Sequence, residues 1–467
     1  MFLTRLASLH RLDTDTSLFV NALSGAVDLV DNELRAQLLD IALGGRPSLR
    51  ERYRRLLKQR GYLFAGEGGE RAALQSMYEA YERITASRPL EFVVCPTYTC
   101  NLACTYCYQS DEVHAIPEVM TDSQVSDFFA ALEALSSERP DKSRQIVLFG
   151  GEPLLPATET VVVEILNRAE REQLAVSVVT NGTHMERFAS LLTSHRSILK
   201  GIQITLDGPE PIHDARRKRR DGRGSFAEVV RAIELCLDAG IPVNVRVNLD
   251  AHNLGSLEDL VGFLQQRGWT GRDGFRCLLA PVTDHVGTST YAPMLREDQL
   301  VEPVLDLLRR RPELQDVLEF HLFRVLHHLI SVLQPHGQAR SLPRFHYCEA
   351  DRGDVYTFGP DGLIYICTES AGISEYAVGT YSPRYRLWPR RLRRWQNRSV
   401  LTLPECQECN IATFCGGGCA YAALRQSGGP MHGACGDAPE VLRAYVAMLR
   451  RRFQQGELTL SAADAAD

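Results

Sequence analysis

Between residues 90 and 280, short β-branched runs alternate with helix-like stretches, and this alternation restricts the fold more than any other feature of the chain. Strands are expected at 91–95, 145–149, 174–180, 201–206, 242–248 and 275–279. Helices are expected between them at 122–137, 159–173, 185–192 and 226–239. Strands separated by helices build right-handed βαβ units and a parallel sheet. Six such units make an open, partial (β/α)6 barrel of the α/β class over residues 89–290. The flanks read differently. Residues 1–88 form a small α+β unit, with a β-prone stretch at 17–30 that turns near Asn21 and Gly25. Helices follow from near Asn32, at 49–60 and at 70–86, the last a polar connector. Residues 291–345 read as a helical bridge, 346–440 as a Cys-, Gly- and turn-rich domain, and 441–467 as a helix with a tail that frays after Gly456.

Composition narrows the function. The chain has 467 residues, 44% apolar and 24% charged, which suits a globular protein of about three domains. Fifty-two basic residues against 58 acidic ones give a net charge of −6 and argue against a nucleic-acid binder. No apolar run approaches the roughly 18 residues of a membrane span. Residues 1–13 lack the pattern of a signal peptide, so a cytoplasmic protein is expected. Thirteen cysteines are too sparse for a disulfide scaffold but are clustered, and clustered thiols in a reducing compartment read as metal or cluster ligands.

The first cluster is Cys100-Asn-Leu-Ala-Cys104-Thr-Tyr-Cys107, in the loop after the first strand. Three thiolates suit an iron–sulfur cube, which then keeps one iron open, better than zinc, which takes four ligands in structural sites. A zinc site borrowing a distant His, or three unrelated buried thiols, are the alternatives. Further motifs end the next strands: Gly150-Gly151-Glu152-Pro153, Thr180-Asn181-Gly182 and Thr205-Leu206-Asp207-Gly208. The C-terminal ends of successive parallel strands face one barrel mouth, where such folds place their sites.

With these residues the chain resembles the radical S-adenosylmethionine (radical SAM) superfamily. The resemblance implies that Cys100, Cys104 and Cys107 hold a [4Fe–4S] cluster whose open iron chelates S-adenosyl-L-methionine, with Tyr106 as the family's aromatic before the third cysteine. It also implies that Gly150, Gly151 and Glu152 meet the methionyl amino group. Asn181, Thr205, Asp207 and Arg246 are candidates for the ribose and carboxylate, with Arg216 behind them.

The second cluster runs Cys348-x13-Gly362-x4-Cys367, then Cys406, Cys409, Cys415, Cys419 and Cys435. C-x2-C pairs alone could mark a zinc ribbon, but the whole pattern resembles a SPASM domain. That resemblance implies two auxiliary [4Fe–4S] clusters: a nearer one on Cys348, Cys367 and Cys419, and a farther one on Cys406, Cys409, Cys415 and Cys435. The nearer one lacks a fourth thiolate, and Glu349, Asp351 or Cys277 could complete it, or the position could stay open. Cys95, Cys236 and Cys277 themselves read as small buried hydrophobes. The basic runs at 216–220 and 384–398 read as solvated faces, with docking of an acidic peptide as the alternative.

The resemblance implies a radical SAM/SPASM peptide maturase. Such an enzyme uses a 5′-deoxyadenosyl radical to take hydrogen from a ribosomally made precursor peptide and install a crosslink or other oxidative change. The front unit resembles the small winged-helix-like modules that hold leader peptides, and an electron donor such as flavodoxin or ferredoxin is implied. No catalytic residue is assigned, and neither nucleic acid nor membrane is expected as a partner. Two alternatives remain: a sulfatase-maturing enzyme, although Thr368 stands after Cys367 where those relatives carry an aspartate, and a zinc-binding scaffold.

Overall fold

The computed structural model describes residues 1–284, 291–332 and 343–457. All six expected strands are present: Leu90–Val94, Arg144–Leu148, Ala175–Thr180, Leu199–Thr205, Val243–Leu249 and Phe275–Pro281. They pair in that order, all parallel. Alternation drives this arrangement. In Ala175–Thr180 every second residue is buried, so Val176, Val178 and Thr180 face inward. The helices Asp122–Ser137, Glu159–Arg171, Met185–Ser194 and Phe226–Asp238 cover the outside. The first of these starts where the sequence Thr121-x-x-Gln124 closes a capping box, each side chain bonding the other residue's backbone N–H. The sequence reading missed helix Leu257–Gln266, which packs after the fifth strand.

The sheet does not stop at the barrel. Val355–Phe358 adds to the outer edge of the first strand in parallel, with Val355 opposite Glu91 and Phe358 opposite Val94. Leu363–Tyr365, Gly379–Thr380 and Arg386–Leu387 then follow antiparallel. Leu318–Glu319 pairs with the sixth strand at the other edge. The Cys-rich segment is therefore stitched into the barrel's own sheet. Helices Glu297–Arg310 and Arg324–Val332 lie in the stretch read as helical, whereas residues 333–342 of that stretch fall outside the described residues. Helix Ala438–Gln454 closes the described chain, and the frayed tail expected after Gly456 lies outside it from residue 458 onward.

At the front, Thr16–Asn21 and Val27–Asp31 form the expected hairpin. Ala7–Arg11 also pairs with Thr16–Asn21, so the latter is the central strand of three and not an edge. Tyr62 stacks on Phe19 at 4.0 Å between ring centres and donates its hydroxyl to the Phe19 carbonyl. The opposite face of the sheet, with Leu18 and Val20, joins the main core. Thr413 Oγ1 donates to the Ala22 carbonyl at 2.6 Å, and Gln454 Nε2 to that of Leu12 at 3.1 Å. Among the described residues no helix is long and apolar enough to cross a membrane.

Candidate functional site

After the first strand the chain loops outward and returns as the short strand Leu102–Cys104, which pairs with Arg217–Arg219. Cys100, Cys104 and Cys107 all open onto one cavity of about 320 Å³ at the C-terminal ends of the barrel strands. Burial first, and then neighbouring negative charges, push the Cys100 thiol up to about 12 and the Cys107 thiol to about 11. Three thiolates so placed repel one another, and binding them to iron would replace their protons with positive charge. His114 braces the third: its ring bonds the Tyr98 carbonyl through Nδ1 and approaches Cys107 Sγ at 3.4 Å through Nε2.

The glycines of the second motif line the cavity and also permit a close approach of backbone to backbone. Gly150 has φ +125°, and a Cβ there would sit on the Thr97 carbonyl; at Gly151 it would strike the carbonyls of Tyr98 and Thr99. They let the second strand's loop lie against the segment that leads into Cys100, tied by Gly151 N to Thr97 O and Glu152 N to Thr99 O. Glu152, only 1% exposed, then accepts from Leu154 N at 2.9 Å, Thr180 Oγ1 at 2.5 Å and Asn181 N at 2.6 Å. It touches the cavity wall, but its oxygens are occupied in holding the end of the third strand. Asn181 Nδ2 in turn reaches Asn101 at 2.9 Å and lies 3.7 Å from Cys100 Sγ. Thr205 and Arg246 line the cavity as expected.

The basic run at 216–220 is solvated only in part, with Lys218 and Arg220 exposed. Arg216 and Arg217 are buried, at 2% and 7% exposure. Arg216 bridges Asp207 at 3.2 Å and Asp250 at 2.7 Å. Arg217 lines the cavity and donates to the Tyr106 hydroxyl at 2.9 Å, and its buried Nε has no hydrogen-bond partner among the described residues. Arg219 pairs with Glu228, and Arg220 donates to the Cys100 carbonyl. Asp207, expected at the ligand, stands behind the wall: it accepts from Tyr106 and from Asn248 N and is ion-paired with Arg216. The sequence reading missed Arg217, Asn248 and His114. The one available signal was the strand-like alternation of Arg217, Lys218 and Arg219, which a run of like charges hides.

The seven C-terminal cysteines fall into two groups by mutual electrostatics. Cys367 feels Cys419 and Cys348. Cys406, Cys409, Cys415 and Cys435 feel one another. Gly416, Gly417 and Gly418 are all left-handed, with φ of +77°, +90° and +74°, and bend the chain between Cys415 and Cys419. Arg398, from the second basic run, is fully buried and fixes this bend through the Gly417 and Gly418 carbonyls at 2.6 and 2.8 Å. The other six arginines of that run are exposed. Asp351, Glu349 and Glu369 adjoin the first group, whereas Cys277 lies buried in the sixth barrel strand, away from it. Cys95 and Cys236 are buried, as expected.

Among the described residues no three His, Cys, Asp or Glu side chains converge tightly enough to hold a single metal ion. The fit to iron–sulfur clusters is one of donor chemistry: the thiols are clustered, and Cys100, Cys104 and Cys107 face a cavity walled in part by Arg217 and Arg246. The turn Thr368–Ser370 after Cys367 places Thr368 and Glu369 in the wall of that same cavity.

The barrel mouth gathers thiols, buried cations and strand-end amides, a donor set suited to metal-cluster chemistry. Residues 94–264 match the Radical SAM superfamily. It is 28% identical over 176 residues to the antilisterial bacteriocin subtilosin biosynthesis protein AlbA of Bacillus subtilis, 37% of this chain and 36% of that one. It is 23% identical over 217 residues to a cysteine-type anaerobic sulfatase-maturating enzyme of Clostridium perfringens, 44% of this chain and 56% of that one. These matches therefore span between a third and three-fifths of the relatives' own length. Among solved structures, anSMEcpe with bound AdoMet and the Cp18Cys peptide shares the fold with a TM-score of 0.57 at 17% identity, over 79% of this chain and 98% of that one.

Proposed function

We propose that this chain is a radical SAM/SPASM peptide maturase with one SAM-binding and two auxiliary [4Fe–4S] clusters. The observation that carries the reading is the shared wall: Thr368 and Glu369, beside Cys367, border the cavity of Cys100, Cys104 and Cys107. A C-terminal cluster group beside the reaction chamber suits oxidation of a substrate after hydrogen removal. When bound, the SAM-binding cluster and SAM supply a 5′-deoxyadenosyl radical.

The chain's own residues do the rest. Cys100, Cys104 and Cys107 hold the cluster. Arg217, with its free Nε, and Arg246 offer positive charge to a carboxylate in the cavity. Tyr106 anchors Arg217, and the ion pairs behind it keep both from turning away. Glu152 sets the position of Asn181, and Phe149 and Val282 help exclude water from the wall. The farther group, Cys406, Cys409, Cys415 and Cys435, would hold a fully ligated cluster, and the nearer group one completed by substrate or by a carboxylate.

The precursor's leader would pair on an outer strand of the front sheet, Ala7–Arg11 or Val27–Asp31, since the central strand has no edge to offer. A flavodoxin or ferredoxin would supply electrons. Glu369 favours a second reading: its carboxylate sits at the cavity two residues after Cys367, so a sulfatase-maturing role does not lack an acidic group at the site. Anaerobic incubation with SAM, reductant and candidate peptides, read by mass spectrometry, tests both. Loss of a hydrogen pair with a new crosslink supports the maturase, and conversion of Cys or Ser to formylglycine supports the second reading. Absence of 5′-deoxyadenosine from iron-loaded enzyme would refute both.

A further inference from the structure

Away from the mouth lies a second cavity, of about 690 Å³, at the beginning of the first barrel strand. Its walls come from the end of helix Glu67–Thr85, from the start of Arg324–Val332 and from residues 344–352. Four guanidinium groups line it, those of Arg88, Arg324, Arg344 and Arg352, against two carboxylates, Glu91 and Glu349, and the thiol of Cys348. The lining histidines add no charge near neutrality where burial acts on them: His327 is pushed down, and His328 to about 3.

The arginines are not equally satisfied. Arg88 pairs with Glu349 at 2.9 Å. Arg324 donates to the Tyr347 carbonyl and stacks on its ring. Arg352, its side chain 7% exposed, holds Asp354 at 2.8 Å through Nε; its buried Nη2 lies 3.9 Å from Glu349 and makes no hydrogen bond among the described residues. Arg344 Nη1 is likewise buried and without one. A buried guanidinium N–H without an acceptor is costly, and two of them on one cavity with excess positive charge call for a shared acceptor.

We infer that this cavity is a binding site for an oxyanion, a carboxylate or a phosphate, received by Arg344 and Arg352. Planar guanidiniums suit the paired oxygens of such groups. The anion could be the side chain of an acidic peptide or a free ion. The exposed rim, Ile84, Arg88 and His321, leaves room for a chain to enter.

The test is isothermal titration of the cluster-loaded enzyme with inorganic phosphate and with acetylated, amidated hexaglutamate. Saturable binding is expected, weakened at least tenfold by Arg344→Gln or Arg352→Gln. His321→Glu, on the exposed rim, should weaken it several-fold without touching the core, and it decides the matter if the arginine variants do not fold. Hexaglutamate binding at least tenfold tighter than phosphate assigns the site to an acidic peptide; otherwise the ligand is a free anion. If the loaded enzyme binds neither probe, the arginines serve only the neighbouring thiolates and the inference falls. Affinity unchanged in His321→Glu and in the folded arginine variants overturns it equally.

Discussion

Replacing Glu152 with Gln tests whether the second motif works by holding the third strand's end. The carboxylate accepts three hydrogen bonds from groups out of reach of water. The amide keeps one oxygen. Its best orientation retains Leu154 N and Thr180 Oγ1 on that oxygen and turns NH2 toward Asn181 N–H. One charge-assisted bond is then lost and two donors face each other. The lost bond and the unsatisfied N–H together cost about 2–3 kcal/mol. Asn181 moves first, because its N–H is the stranded group, and with it the contacts to Asn101 and Cys100. If that cost falls on the competent arrangement of the loop, SAM affinity should drop by a factor of about 30 to 150. Iron content should not change, since no thiol is touched. Equilibrium dialysis of SAM against the iron-loaded variant reads this directly. A variant that binds SAM as tightly as the parent would refute the argument, because the three bonds would then be irrelevant to the site.

Other outcomes follow from the same structure. Alanine at Cys100, Cys104 and Cys107 together should abolish 5′-deoxyadenosine formation while iron falls from about twelve to about eight per chain if all clusters are [4Fe–4S]; retention of only about four would contradict the two auxiliary clusters. Burial raises the Glu297 carboxyl to about 7, above its unfolded value, so the native state keeps a proton that the unfolded chain releases. Stability from this group should therefore be lost as pH rises from about 4.5 to 7, by about 2–3 kcal/mol. Glu297→Gln should flatten that slope in denaturant unfolding of the apo-protein, and an equal slope in both proteins would remove the assignment. Proline scanned along Ala7–Arg11 and Val27–Asp31 should weaken leader-peptide binding on one of those strands and leave uncoupled SAM cleavage intact, as read by peptide titration and 5′-deoxyadenosine yield.

The barrel was legible because its strands are five to seven residues long and its helices ten to sixteen, long enough to show a period. The strands that extend the sheet beyond Val355–Phe358 have two or three residues, too few for any alternation. The thiols were legible as clusters by their spacing along the chain. What stayed hidden were groups whose roles depend on distant partners. Arg216 is defined by Asp207 and Asp250, and Arg398 by carbonyls at 417 and 418. A run of arginines looks alike in sequence whether its charges meet water or buried carboxylates. Asp207 was found as a site residue for the right reason, its place at a strand end, but it acts one layer back from the cavity.

The four-residue ladder between Val355–Phe358 and Leu90–Val94 limits how this enzyme can open. The loop of Cys100 and the turn of Thr368 and Glu369 hang from strands on one twisted surface, separated by roughly 5 Å per strand. A C-terminal half that swung aside as a lid would have to tear that surface along its length. The cavity mouth is thus a doorway of nearly fixed width, set by the sheet and not by a hinged half.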